Sequence, residues 1–272
     1  MLLTIDAGNT RTKWAVFSAN GDISQHGSCF NDALPKADLS PQALGYQRVI
    51  ISNVAGAAHA NKLEQLLKPY HLPISWVKAS TQACKVINGY IKPETLGSDR
   101  WAALIAAWHM QHAPCIVVNA GTAVTIDALA QVTDDALTHT TDDEAEFLGG
   151  MILPGLNLMQ ASLGIAAAQL PKHNAIQNFS TDTTTQNSVT QDIFAKSTVQ
   201  AIHAGGLNAV SGAITRMAEA LKNKCGLAPL IVLSGGNAEV INNDLAQTVT
   251  NQTVIVDNLV LTGLYLLDCA KQ

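Results

Sequence analysis

The sequence predicts an α/β protein built from a unit that occurs twice, and three observations carry that prediction. The apolar run Leu2-Leu3-Thr4-Ile5 ends abruptly in Asp6-Ala7-Gly8-Asn9-Thr10. Cys115-Ile116-Val117-Val118 ends in the same way, in Asn119-Ala120-Gly121-Thr122. A third apolar run, 230–233, meets Ser234-Gly235-Gly236-Asn237. Apolar runs that stop at small polar residues are buried strands reaching the edge of a sheet. The first two turns stand at equivalent positions of two halves. A chain of 272 residues, 47% of them apolar, is long enough for two domains of roughly 100–150 residues.

The elements follow in order. "TKWAVFSANGDISQHGSC" reads as two strands joined at Asn20-Gly21, a dipeptide suited to a type I′ hairpin turn. With "LLTI" ahead of it, the chain opens on three consecutive strands. "RVIISNVA" and "ISWVKA" are further strands, and "HANKLEQLLKPY" between them has helical apolar spacing. "SDRWAALIAAWHMQHA" reads as a helix starting near Ser98, which is placed to cap it. A second half restarts at residue 115, so the division is 1–114 and 115–272. It continues through "CIVVNAGTAVTIDALA", an acidic loop, a strand ending at Pro154-Gly155, and a helix. "NFSTDTTTQNSVTQDIF" reads as a loop leading into a helix that continues through "AKSTVQAIHAGGLNAVSGAITRMAEALKNK". "LIVLSGGNA" is the last strand recognised, with a helix after it.

A formal net charge of −5 argues against a nucleic-acid binder, which presents a basic surface. No run approaches the ~20 apolar residues of a membrane span, and Asp6 comes too early for a signal peptide. The five cysteines are scattered, with no CxxC pair, so neither a zinc ribbon nor a disulfide framework is expected. The composition thus predicts a soluble, cytoplasmic protein with reduced thiols.

Two stretches carry chemistry. In the first, Gly8 lets backbone approach a ligand closely, Asn9, Thr10 and Lys13 offer donors, and Asp6 offers an anionic oxygen. Donors around a glycine suit a phosphate, and a lone carboxylate beside them suits Mg²⁺ on that phosphate. A solvent-facing hairpin end accounts for the same residues taken alone. Two related turns and a third glycine-rich strand end predict a nucleotide in a cleft between the halves. In the second stretch, "NGYIKPETLGSDRWAAL", Gly97, Asp99 and Arg100 fall where a helix begins. Helix N-termini favour anions, and Arg100 offers a bidentate fork for a carboxylate or phosphate. A first-turn acid favoured by the helix dipole, paired with its neighbouring arginine, explains Asp99 and Arg100 equally. Gly235-Gly236-Asn237 reads either as a close approach to a nucleotide or as a tight strand-to-helix turn. His109 and His112 lack a third ligand for a metal. The acids at Asp134-Asp135 and Asp142-Asp143-Glu144 read as a solvated loop, and the four tryptophans as core or interface.

Together the motifs resemble those of the type III pantothenate kinases, a branch of the acetate and sugar kinase/Hsp70/actin superfamily, along nearly the whole chain. "DAGNTRTK" is similar to the family's D-x-G-N-T-x-x-K, and "GYIKPETLGSDRW" to G-Y-x-x-P-x-x-L-G-x-D-R-W. "NAGTAVT" is similar to D-x-G-T-A-x-T and "GGMILPG" to G-G-x-I-x-P-G. The resemblance implies two ribonuclease H-like domains, each a mixed sheet flanked by helices, with ATP between them. It implies an ATP phosphate loop of Asp6, Ala7, Gly8, Asn9, Thr10, Arg11, Thr12 and Lys13, with Thr122 on the other side and Asp6 holding Mg²⁺. Asp99 is then similar to the family's general base. Tyr90, Gly97, Ser98, Asp99, Arg100 and Thr185 are similar to its pantothenate-binding residues. The product would be 4′-phosphopantothenate, the first intermediate toward coenzyme A. Asn119 replaces an aspartate that helps bind an activating monovalent cation, so K⁺ or NH₄⁺ should bind more weakly here. Asp192 and Ser188 also depart from the family pattern T-x-x-A-[IV]-x-x-G around Thr185. The resemblance further implies a homodimer, for which the apolar helix from Ser98 to Ala113 offers a surface. A related kinase for another hydroxylated acid or sugar is the alternative, and a non-enzymatic accessory regulator is a third, though a regulator would not need both Asp6 and Asp99.

Overall fold

The computed structural model describes residues 1–36, 39–132, 144–166, 193–248 and 250–271. Its first strand, β1 (Leu2–Ala7), is buried along nearly its whole length, which requires a packed layer on each side of the sheet. β1 pairs antiparallel with β2 (Arg11–Phe17), and β2 with β3 (Ile23–Phe30). On its other side β1 runs parallel to β4 (Arg48–Asn53), and β4 parallel to β5 (Ile74–Trp76). The order is β3-β2-β1-β4-β5.

The second sheet repeats this wiring. Its strands are β8 (Cys115–Ala120), β9 (Ala123–Gln131), β10 (Ala145–Pro154), β11 (Leu230–Ser234) and β12 (Thr253–Ile255). β8 pairs antiparallel with β9, β9 antiparallel with β10, β8 parallel with β11, and β11 parallel with β12. The duplication expected from the two turns is therefore present as topology, and it superposes Asn119 on Asp6. Asp6 is flanked in register by Lys13 and Ser52; Asn119 is flanked by Thr125 and Ser234.

Two short strands that sequence reading missed extend the second sheet beyond β10: β6 (Gln82–Ala83) and β7 (Val86–Asn88). They precede residue 115, so one sheet draws on both sides of that position. Cys84 and Lys85 join them with φ of 47° and 64°, the backbone of a type I′ turn without the usual Asn or Gly. The Asn20-Gly21 hairpin differs in the opposite direction. Only Gly21 has positive φ, 88°, and Ser18 N–H donates to Asp22 across the loop, so the connection is a three-residue loop and not a type I′ turn.

Period-two alternation decides what each strand presents. In β1, Leu3, Ile5 and Ala7 join an outer cluster with Leu63 and Leu67 of α2 (Ala57–Leu67), which follows the one-turn helix α1 (Pro41–Leu44). Leu2, Thr4 and Asp6 therefore face inward. In β8, Ile116, Val118 and Ala120 face outward onto α5 (Thr198–Cys225) and α6 (Ala238–Thr248), while Cys115 and Val117 face inward. A fourth helix, α4 (Leu156–Ala166), follows β10.

Between the sheets lie α3 (Ser98–Gln111) and α7 (Leu259–Cys269), in one cluster with Leu2, Phe17 and Ile50 of the first sheet and Val117, Leu129 and Phe147 of the second. Residues 100–108 of α3 are all buried, as expected of a helix apolar on every side. The proposed role of this helix as a surface for a second subunit is thereby overturned: its own two sheets cover it. α3 and α7 approach so closely that a Cβ on Gly263 would meet the backbone of Ala102. Among the described residues no helix is long and apolar enough to cross a membrane.

Gly263→Val should force these two helices apart. We expect a loss of about 1–3 kcal/mol, the usual range for overpacking, read as a lowered midpoint in denaturant unfolding with the slope unchanged.

Candidate active site

Each glycine turn is closed by its glycine N–H, three residues on in the first turn and two residues on in the second. Gly8 N–H donates to Arg11 O, and Gly121 N–H donates to Ala123 O, each at 3.1 Å. Across the gap the hydroxyls of Thr10 and Thr122 bond to each other at 2.8 Å, so the two halves bring these turns into contact. Behind the second turn, Gly155 N–H donates to Thr122 O and Asn237 N–H to Ala120 O. Gly235, with φ of 100°, lies flat against Ala120, so the tight-turn reading of this glycine holds.

The first turn is tied from below by Asn31 and His59, which sequence reading did not identify, and by Thr12, which was expected in the phosphate loop but whose buried side chain turns to those two residues instead. Asn31 Nδ2 donates to Gly8 O at 2.8 Å and to Asn9 O at 3.1 Å. Thr12 is fully buried, and its hydroxyl donates to Asn31 Oδ1 and meets His59 Nε2 at 2.8 Å. Arg11 is exposed, donating to Ser28 and stacking on Phe30.

The inward face of β1 delivers Asp6 toward the start of α3. Its Oδ1 is buried and has no hydrogen-bond partner. Burial chiefly, then the nearby Asp99 carboxylate, push its pKa up to about 7, against the pull of Lys13. At the helix start, Gly97 occupies the N-cap position without a side-chain cap, and Ser98 is the first helical residue. The expected Ser98 cap is therefore absent; its hydroxyl bonds Ser52 on the neighbouring strand at 2.8 Å. Asp99 Oδ1 accepts the Arg100 backbone N–H at 2.8 Å, and burial raises this carboxyl as well.

Arg100 is 6% exposed, and its fork closes on Asp127 of β9, with Nε to Oδ2 at 3.0 Å and Nη2 to Oδ1 at 2.5 Å. Its Nη1 donates to the Tyr90 hydroxyl at 2.9 Å, and Tyr90 packs on Phe147. The paired glycines of "GGMILPG" serve this ion pair. Gly149, with φ of 126°, carries the bulge in β10, and a Cβ on Gly150 would occupy the space of Asp127 and Arg100. Asp127 was missed in the sequence because it sits within the apolar run "TIDALA". A lone acid there had to find a cation, and that was the available signal.

Tyr90, Gly97, Ser98, Asp99 and Arg100 thus share one side of the central layer with Asp6. Thr185 and the acids at 134, 135, 142 and 143 lie outside the described residues. His109 and His112 have ring centroids 6.1 Å apart at the far end of α3, and among the described residues no His, Cys, Asp or Glu completes a metal cluster.

Removing Asp127 strands the Arg100 guanidinium in the protein interior. Asp127→Ala should therefore cost roughly 3–5 kcal/mol by denaturant unfolding, most of it recovered in an Arg100→Met, Asp127→Leu double variant. Asp6 supplies a pH signature. Between its unfolded value near 4 and its folded value of about 7, the folded state holds the proton more tightly. Stability of the ligand-free protein should then fall as pH rises through that window. Melting temperatures from pH 5 to 8 should decline, and Asp6→Asn should flatten the decline.

The chain matches the family model described as type III pantothenate kinase over residues 2–220. It is 40% identical to the type III pantothenate kinase of Methylobacillus flagellatus, covering 98% of this chain and 97% of that one. The type III pantothenate kinase of Aromatoleum aromaticum is 37% identical over 97% of this chain and 96% of its own. Among solved structures, a Campylobacter jejuni chain assigned to the Baf family of transcriptional activators aligns with a TM-score of 0.59 at 18% identity, covering 99% of this chain and 98% of that one. The ethanolamine utilization protein EutJ of Carboxydothermus hydrogenoformans aligns with a TM-score of 0.55 at 11% identity, covering 97% and 89%. At such identities these two structures speak for the fold alone, two mixed sheets flanked by helices. With its sequence matched at this identity and coverage, the chain belongs to the type III pantothenate kinase family.

Proposed function

We propose that this protein transfers the γ-phosphoryl group of ATP to the primary hydroxyl of pantothenate, giving 4′-phosphopantothenate for coenzyme A synthesis. The observation that carries the reading is the pair of buried carboxylates, Asp6 and Asp99, beside two apposed phosphate-type turns. Asp99 is the general base. Its Oδ1 is held by the Arg100 N–H, so Oδ2 accepts the hydroxyl proton while the new O–P bond forms and the bond to ADP breaks. Burial of Asp99 raises its basicity toward working pH, which favours that role.

The residues fit a divalent cation on the other side. A buried carboxylate oxygen without a hydrogen-bond partner is unfavourable unless a cation or proton satisfies it, and Asp6 Oδ1 is such an atom. Mg²⁺ at Asp6 would neutralise phosphate charge as it shifts to the leaving ADP. Backbone donors of residues 9–11, with Lys13 and Thr122, hold the phosphates. Tyr90, Gly97, Ser98 and Arg100 shape the acceptor pocket, Arg100 as much by orienting Tyr90 as by touching the substrate, and Thr185 reaches pantothenate. Asn119 stands at the monovalent-cation position with a neutral oxygen, which supports a weak K⁺ or NH₄⁺ response. A homodimer remains part of the reading, now through Ile152, Leu158, Leu163 and Ile165, apolar side chains exposed on β10 and α4. A cytoplasmic location fits the substrates.

Coupled ADP release with pantothenate and ATP, run in Na⁺, K⁺ and NH₄⁺, tests the reading. Pantothenate-dependent turnover with little cation effect is expected. ATP binding without pantothenate turnover would point to another acceptor. Asp99→Asn should keep its melting temperature and lose turnover by a factor of ~10² or more; near wild-type turnover would remove Asp99 from the base role.

A further inference from the structure

Three consecutive carbonyls of the first turn end on one residue. Asn31 takes Gly8 O at 2.8 Å and Asn9 O at 3.1 Å through its side-chain amide, and Thr10 O at 3.1 Å through its backbone N–H. In a trans peptide the N–H following a carbonyl points the opposite way. Anchoring the oxygens of residues 8, 9 and 10 on Asn31 therefore turns the N–H groups of Asn9, Thr10 and Arg11 to the other side of the loop. Successive N–H groups on one side form an anion-binding concavity.

The anchor is itself held. Both amide hydrogens of Asn31 are committed to carbonyls, so its Oδ1 is free to accept only, and it accepts the Thr12 hydroxyl at 2.9 Å. Thr12 has then given its one proton away and accepts from His59 Nε2–H at 2.8 Å. Thr12 is fully buried and 6% of His59 is exposed, so this chain runs through the outer layer between β2 and α2, away from the cleft. Burial lowers the His59 pKa, which favours the neutral ring. Every donor in the chain has a single acceptor, which sets the orientation of the Asn31 amide.

We propose that Asn31, supported by Thr12 and His59, is a positioning residue for the nucleotide phosphates: it fixes the peptide planes of residues 8–11 so that their N–H groups converge on the bound anion. This deepens the ATP-site reading above and rests on it. None of the three side chains touches nucleotide; they act through the backbone.

Asn31→Asp tests the idea, because it keeps the oxygen that Thr12 needs and replaces the amide donors with a carboxylate oxygen facing two carbonyls. Asn31→Ser is the gentler second variant. Kd for ATP is measured by calorimetry without pantothenate, alongside both KM values and the melting temperature. ATP binding should weaken about tenfold or more in both variants, the scale of one or two lost hydrogen bonds, with the KM for pantothenate within twofold of wild type. His59→Ala should weaken ATP in the same direction by less, and His59→Gln, which retains an N–H donor, should recover part of it. A folded Asn31→Ser variant with unchanged ATP affinity would overturn the proposal, as would equal increases in both KM values. Wild-type protein that binds ATP but ignores pantothenate would defeat the substrate reading while leaving this one testable by Kd alone. Wild-type protein that does not bind ATP would overturn both.

Discussion

The buried ion pair between Arg100 and Asp127 is the constraint on which the site depends. It joins the first turn of α3 to the second strand of the second sheet, with both partners almost wholly out of water. Desolvating two charges gains little net stability even when the geometry is good, and replacing such pairs by apolar residues is often neutral or better. What the pair supplies is direction. Asp99 precedes Arg100 and bonds its backbone N–H, so anchoring the guanidinium on β9 also fixes where the neighbouring carboxylate stands. The bulge at Gly149 and the missing side chain at Gly150 are accommodations of the sheet to that anchor.

Around this anchor the fold concentrates polar groups at the ends of apolar strands. Asp6 and Asp99 are like charges close together; burial raises the proton affinity of both, and the Asp99 carboxylate raises that of Asp6 further. Such an arrangement is unfavourable for the protein alone and becomes favourable when a cation and a hydroxyl substrate occupy the space between. The hydrophobic cluster shared by both sheets compensates, with Trp101 and Trp108 of α3 fully buried in it. Stability and chemistry here share one helix, whose first turn carries both Asp99 and the buried Trp101.

What could be read in the sequence was whatever a single element displays by itself. The two glycine turns, the strand periods and the start of α3 are local patterns, and the structure has them. Features that depend on a partner distant in sequence were not legible. Arg100 reads as an open fork because nothing near it in sequence shows Asp127. Ser98 reads as a cap because its actual partner, Ser52, lies on another strand. Asn31 and His59 carry no local signature, as each matters only through the groups folded onto it. The β6–β7 hairpin escaped because its strands are two and three residues long and its turn is Cys-Lys. The apolar character of α3 was plain, yet apolar on all sides fits both an interface and an interior, and only the placement of two sheets decides.

The position of α7 has a consequence for how such a chain is made. The inward face of the first sheet, with Leu2, Phe17 and Ile50, is covered by side chains of Leu261, Leu264 and Leu267, more than two hundred residues downstream. During synthesis the opening strands leave the ribosome with that face bare; α3 can cover part of it, but the cover is incomplete until α7 emerges. Long-range closure of this kind is slow, and unpaired apolar sheet surface is the form in which nascent chains associate wrongly. The amino-terminal half therefore completes its core only after the last helix of the chain has been translated.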